Sequence, residues 1–419
     1  MSAHPLAALG RGRGLTSVCS AHPLVIEAAL TEAKAASAPA LIEATCNQVN
    51  QEGGYTGLTP AAFRDQVLAI ADRVGLPRSQ VILGGDHLGP NPWRALPAEA
   101  ALGRAEAMVA AYAEAGFEKI HLDCSMGCAG EPTALPDAVT AARAARLARV
   151  AEAAAGAAGT APRYIIGTEV PTPGGATEAI EELEVTRPEA ALATHEVHRR
   201  AFAEAGLAAA FERVIALVVQ PGVEFGHANV VIYRPERAVA LAASLDRLPG
   251  LVFEAHSTDY QPQAALAALV RDGFAILKVG PGLTFALREA LYGLDAIAAA
   301  LDPDWHEHSL VAAMERVMLA DPRHWRSHYH GDAGEQRVLR HFSYSDRIRY
   351  YWPAEAAQAA VARLLAHLAS RPIPETLISQ YLPTLYPRVL EGAVPPQPEA
   401  LLHAAVRDVL AVYAAASGA

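Results

Sequence analysis

Three short motifs along this chain set an imidazole beside a carboxylate. In Gly84-Gly85-Asp86-His87-Leu88-Gly89-Pro90-Asn91 an acid and a histidine stand next to each other between glycines, which let a backbone come close to a ligand. In His121-Leu122-Asp123 and Glu254-Ala255-His256 the polar residues are two apart, so on an extended strand both point to one face. His227 follows in a loop with Gly222 and Gly226. Converging, His87, His227 and His256 make a three-imidazole site with an open position, the donor set of a catalytic divalent metal, most readily Zn2+. Asp86, Asp123, Glu169 and Glu254 are the carboxylates that orient such ligands or carry protons. A single histidine among 16 is more often a satisfied structural residue. Three at successive strand ends, each beside a carboxylate or glycine, favour the metal reading.

These residues need a frame, and the chain supplies one. Apolar runs at 16–19, 40–44, 81–85, 119–123, 164–170, 214–220, 251–256 and 275–280 read as strands, with Ala/Leu/Glu/Arg-rich helical stretches between them. A strand-then-helix unit repeated in this way predicts an α/β fold, the (β/α)8 TIM barrel, whose active site lies where the strands end. The polar residues fall at those ends: Cys19, Glu43, Asp86-His87, His121 and Asp123, Glu169, Gln220, Glu254 and His256, and Lys278. Thr59-Pro60 and Gly75 carry the start and stop signals of one outer helix. A barrel takes about 250 residues. Residues 1–300 are therefore expected to form it, and 301–419, helical without strands, an extension packed on it. The Pro-Thr-Pro-Gly-Gly stretch at 171–175 reads as a lid or hinge.

Barrels often hold phosphate on backbone N–H groups after the last two strands. Here those loops are Ser257-Thr258 and Gly280-Pro281-Gly282-Leu283-Thr284, with Lys278 nearby; an ordinary tight turn is an equal alternative. Arg347 and Arg349 suit either a second anionic group or structural salt bridges. A net charge of −11 without a Lys/Arg run argues against nucleic acid or an anionic membrane as partner. No signal core or membrane-length apolar stretch is evident, and the cysteine usage (Cys19, Cys46, Cys124, Cys128) suits a reducing cytoplasm. Cys124-x3-Cys128 lacks a matching second pair and reads as small buried thiols.

Several long motifs resemble one family: Ser17-Val18-Cys19-Ser20-Ala21-His22-Pro23, Ile42-Glu43-Ala44-Thr45-Cys46-Asn47-Gln48, the Asp86-His87 motif, Gly167-Thr168-Glu169-Val170-Pro171, Glu254-Ala255-His256-Ser257-Thr258-Asp259-Tyr260, Lys278-Val279-Gly280-Pro281 and Ser345-Asp346-Arg347-Ile348-Arg349-Tyr350-Tyr351-Trp352. On these the chain is identified as a member of the GatZ/KbaZ family. Its members are usually named as subunits of class II D-tagatose-1,6-bisphosphate aldolase, acting in galactitol, N-acetylgalactosamine or tagatose catabolism.

The resemblance implies an aldolase subunit with an intact zinc site. Asp86 resembles the proton-transferring acid of class II aldolases and His87 a metal ligand. Their later histidines correspond in order to His227 and His256, and their strand-five glutamate to Glu169. Asp86, Glu169 and Glu254 are then the catalytic set. Glu43, Gln48, Asn91, Asp123, Ser257, Lys278, Gly280 and Arg347 are the expected substrate-binding residues. The sequence departs from the aldolase pattern at His227-Ala228 and His256-Ser257-Thr258, where glycines are lost, which weakens the case for tight phosphate binding. Two alternatives accompany the aldolase reading. One is a metal-dependent ketohexose 4-epimerase (tagatose/fructose) working by retro-aldol cleavage and re-addition. The other is a non-catalytic subunit stabilising a smaller class II aldolase chain. The expected partners are a ketose or ketose phosphate, that smaller subunit and further copies of this chain, in the cytoplasm.

Overall fold

The fold is described from a computed structural model covering residues 4–170 and 183–418. Eight parallel strands close into a barrel: β1 (Leu15–Cys19), β2 (Ala40–Thr45), β3 (Val81–Leu88), β4 (Lys119–Leu122), β5 (Arg163–Ile166), β6 (Val214–Val219), β9 (Val252–Ala255) and β10 (Phe274–Val279). Two short strands, β7 (Glu224–Phe225) and β8 (Val230–Val231), form an antiparallel hairpin in the loop after β6. Closure comes from β1 pairing both neighbours, with Ser17 opposite Lys278 and Cys19 opposite Glu43. The strands are continuous apolar runs because both faces are covered: every residue of β10 is buried.

Each expected strand falls on an observed one, and the helices between them start and stop where the sequence signals lie. Thr59 Oγ1 accepts from the Ala62 N–H to open Pro60–Val74, and Gly75, at φ 73°, closes it. Strand β5 is shorter than expected: pairing ends at Ile166, and the chain leaves the barrel at Gly167. The suggested lid at 171–175 lies outside the described residues.

Beyond residue 301 the described chain is helical and packs on the barrel. Its last helix, Pro398–Ser417, packs against the ring helices Pro23–Ala36, Gln263–Arg271 and Pro281–Leu301. Tyr413 Oη donates to the Thr258 carbonyl at 2.6 Å, and Arg407 pairs with Glu32 at 2.9 Å. By length and mean hydropathy (1.3) this helix could cross a membrane, contrary to the expectation of no membrane-length apolar stretch. Here its apolar residues Leu401, Leu402, Val406 and Leu410 are buried in the ring. Earlier in the extension, the turn Arg347–Tyr351 reaches the mouth of the barrel. The Tyr344 N–H donates to the His227 carbonyl at 2.9 Å, and the Tyr55 and Tyr350 rings meet edge-on at 4.7 Å.

Candidate active site

The floor of the site is a fully buried charge network. Lys119, inward on β4, lies 2.6 Å from Glu43 Oε1 and 2.7 Å from Glu254 Oε2, and none of the three side chains is exposed. Ser17 Oγ donates to the same Glu43 oxygen at 2.6 Å. Burial alone lowers the affinity of Lys119 for its proton, but Glu254 and Glu43 outweigh it and the ammonium is retained. Burial likewise works to raise the Glu254 pKa, yet Lys119, Lys278 and His256 hold it well below the ordinary carboxylate range.

Above the floor, Asp86, His87, His121 and His256 converge, with one ligand atom from each lying within 4.8 Å of all the others. The three rings stand 4.9–5.3 Å apart, centre to centre. Strand β3 delivers two of these groups through a bulge: its register against β4 shifts between Gly85 and Leu88, and His87 takes φ 49°. Regular alternation would turn consecutive side chains apart, whereas the bulge aims both Asp86 and His87 inward.

Burial favours the uncharged imidazole at His121 and His256, and Lys278 adds to this at His256. Asp86 is pushed up by burial but held far below the usual range by His87, Lys278 and His121. Lys278 Nζ pairs directly with Asp86 Oδ1 and stands 3.8 Å from Glu254 Oε1. An ionised carboxylate only accepts hydrogen bonds. Two nitrogens facing carboxylates therefore donate, His87 Nδ1 to Asp123 (2.8 Å) and His256 Nε2 to Glu254 (2.9 Å), while His121 Nδ1 sits between Asp86 Oδ1 (3.0 Å) and the His87 N–H, which donates to it at 3.2 Å. The Nε2 of His121 is buried and has no hydrogen-bond partner among the described residues. An orphaned imidazole nitrogen amid two more imidazoles and a carboxylate fits a divalent cation.

The rim surrounds a partly open cavity lined by Cys19, Gln48, Tyr55, His256, Ser257 and Asp259 among others, with Arg349 and Tyr350 from the extension. Arg349 donates to the Ser345 and Asp346 carbonyls and, at 3.0 Å, to Tyr350 Oη. Asp259 Oδ1 accepts from the Gly280 and Gly282 N–H groups at 2.9 and 2.7 Å. Burial raises Asp259 to a pKa of about 6 and neighbouring Glu224 to about 7.

Over residues 6–418 the chain matches the family described as D-tagatose-1,6-bisphosphate aldolase subunit GatZ/KbaZ-like. The chain belongs to that family. It is 58% identical, over 410 residues covering 98% of this chain and 96% of the relative, to a protein of Agrobacterium fabrum (strain C58 / ATCC 33970) named D-tagatose 6-phosphate 4-epimerase. The crystal structure of a probable tagatose 6 phosphate kinase from Sinorhizobium meliloti 1021 shares 62% identity and a TM-score of 0.90, over 96% of this chain and 100% of that one. The GatZ/KbaZ-like chain described here is an enzyme.

Within this family frame the expected residues divide. Asp86, His87, His256 and Glu254 come together, with Asp123 behind His87 and Glu43 in the floor. Gln48, Ser257, Lys278 and Gly280 line the mouth. His227 does not join the cluster. The loop carrying the β7–β8 hairpin takes it to the extension, where Nδ1 meets Ser343 Oγ and Nε2 the His328 carbonyl, both at 3.1 Å. The third imidazole is His121. Glu169 is also displaced: because β5 stops at Ile166, it stands exposed and accepts from Thr186 Oγ1 at 3.0 Å. Asn91 lies in the turn after β3, outside the mouth lining. Arg347 lines an adjoining cavity with His324 and Arg323, and Arg349 takes its expected place at the mouth.

The glycines of the Asp86-His87 motif accommodate the protein itself. A Cβ at Gly84 would fall 2.5 Å from Glu43 Cγ, and one at Gly89 only 1.7 Å from the Asp123 carbonyl oxygen. Cys124 and Cys128 are free, buried thiols outside the candidate metal groups among the described residues.

Proposed function

We propose that this chain is a metal-dependent ketose 6-phosphate 4-epimerase, interconverting tagatose and fructose configurations by retro-aldol cleavage and re-addition. The observation that carries this reading over the aldolase one is the near full-length relative at 58% identity named for that reaction. The names of both close relatives share tagatose 6-phosphate. The architecture of the mouth supports the same choice. An epimerase must retain the aldehyde fragment while it turns over, and Arg349 and Tyr350 from the extension cover the rim beside the cluster.

His87, His121 and His256, with Asp86 beside them, are the residues that would hold a divalent cation, Zn2+ in the first instance. Such an ion supplies Lewis-acid polarisation of a ketose carbonyl. The chain's own groups account for the proton movements. Asp86, ionised in the resting site, accepts the proton of the C4 hydroxyl as the C3–C4 bond breaks, and the C4 carbon becomes an aldehyde. Rotation of that aldehyde presents its other face, the bond re-forms, and Asp86 returns the proton to the new C4 oxygen. Lys278 keeps Asp86 ionised between turnovers, and Glu254 fixes the His256 ring. Arg349 anchors the phosphate, so the fragment swivels without leaving.

The test is the purified, metal-loaded chain alone with tagatose 6-phosphate, followed by NMR, with a coupled enzyme reporting any free triose phosphate. Fructose 6-phosphate should accumulate without triose release. Stoichiometric triose release would make the protein an aldolase, and turnover only after adding a second, smaller chain would make it a supporting subunit.

A further inference from the structure

We infer that Asp259 dictates which end of the ketose carries the phosphate, because its carboxylate already fills the phosphate cradle after the last strand. The inference rests on the ketose-phosphate reading above and names the feature that selects among such sugars.

In a (β/α)8 barrel, backbone N–H groups after the last strands, at the head of a helix, are the common phosphate seat. Here that seat heads the helix Pro281–Leu301, and its donors are taken. Gly280 and Gly282 both donate to Asp259 Oδ1, Pro281 has no N–H, and the Leu283 N–H donates to the Gly280 carbonyl. Asp259 is 2% exposed, and a Cβ at Gly282 would already stand 3.1 Å from its Oδ1, so no phosphate fits between them.

Little charge is available there to neutralise one: Arg349 is the weakest of the influences on Asp259, below its own burial and hydrogen bonds. Lys278, the ammonium at this side of the mouth, is held by Asp86 and Glu254, and the neighbouring buried side chain is a second carboxylate, Glu224. A phosphate entering here would have to evict Asp259 and then meet its charge, and like charges in contact cost affinity steeply. A neutral hydroxymethyl group meets no such barrier and can donate its O–H to the same carboxylate. The cation facing the cavity is Arg349, which makes no ion pair with a carboxylate among the described residues; its guanidinium is held by carbonyls and Tyr350 Oη. With the phosphate of the C4–C6 fragment on Arg349, as in the reading above, the end left facing Asp259 is the uncharged C1 hydroxymethyl. Ketose 6-phosphates fit; ketose 1-phosphates and 1,6-bisphosphates do not.

The experiment is calorimetric titration of the metal-loaded full chain with fructose 6-phosphate and with fructose 1-phosphate, in the parent and in Asp259→Ser and Asp259→Asn. The parent should bind the 6-phosphate at least about 10-fold more tightly. Asp259→Ser, which vacates the cradle, should bring the two affinities within about threefold by strengthening the 1-phosphate. Asp259→Asn, close in shape but uncharged, should fall between them and serves if the serine variant does not fold. Equal binding of the two sugars by the parent, or an unchanged ratio in the folded variants, overturns the inference while leaving the epimerase reading standing. Failure of the parent to bind either sugar overturns both.

Discussion

Asp123 steers the His87 ring: its Oδ2 accepts from Nδ1 at 2.8 Å, leaving Nε2 turned toward Asp86, 3.7 Å away, and the other imidazoles. Burial works against the Asp123 charge, but the hydrogen bond and charge of His87, with His121 and Ser125, keep it ionised far below the usual range. A ligating histidine fixed in this way is a common arrangement around bound metals. Asp123→Asn should weaken divalent-cation affinity by about 10- to 100-fold, read by competition with a chromophoric chelator. Unchanged affinity would mean that Asp123 does not orient a ligand.

Asp86→Asn removes the group assigned to the C4 hydroxyl proton. Turnover of tagatose 6-phosphate should fall by about 10²- to 10⁴-fold, with a much smaller change in KM. A variant retaining turnover within about fivefold of the parent would assign the proton to another residue.

Lys119 neutralises two glutamates where water does not reach. Removing one partner of a buried ion pair leaves an uncompensated charge, so Lys119→Met should cost about 3–5 kcal/mol in urea denaturation. Adding Glu43→Gln and Glu254→Gln should recover part of that loss. A single variant as stable as the parent would show that the network is not held by this ammonium.

Glu224 gives stability a pH signature. Burial lifts its pKa from 4.5 to about 7 in the folded chain. Its stabilising contribution is fully present below the unfolded value, declines once the unfolded chain begins to ionise, and is gone above the folded value. Glu224→Gln stays neutral throughout. It should match the parent at pH 4.5 and exceed it at pH 8 by up to about 3.5 kcal/mol, the 2.5-unit difference times about 1.4 kcal/mol per unit. Thermal melts at the two pH values check this, and parallel Tm values across the range would refute it.

Much of the barrel is legible in the chain because each strand is an apolar run ending in polar residues. The site is legible where period-two alternation applies. Residues 119, 121 and 123 share that alternation, which marks the His121–Asp123 pair; Lys119 lies on the same face but opens its strand, where no pattern distinguishes a buried lysine from a boundary one. Glu169 was misplaced because apolarity continues to Val170 although pairing stops at Ile166. Order along the chain suggested His227, but the β7–β8 hairpin inserts after β6 and carries it toward Ser343. The meeting of Tyr350 with Tyr55 has no local signal, since it joins segments nearly 300 residues apart through the packing of the extension.

At Gly89 the backbone lies so close to the Asp123 carbonyl that even a methyl group would push the two strands apart. Such a change touches no reacting atom, yet it would move the carboxylate that steadies the His87 imidazole. The tolerance of the reacting centre is thus decided partly at a position with no side chain, and an alanine scan confined to polar residues would miss it.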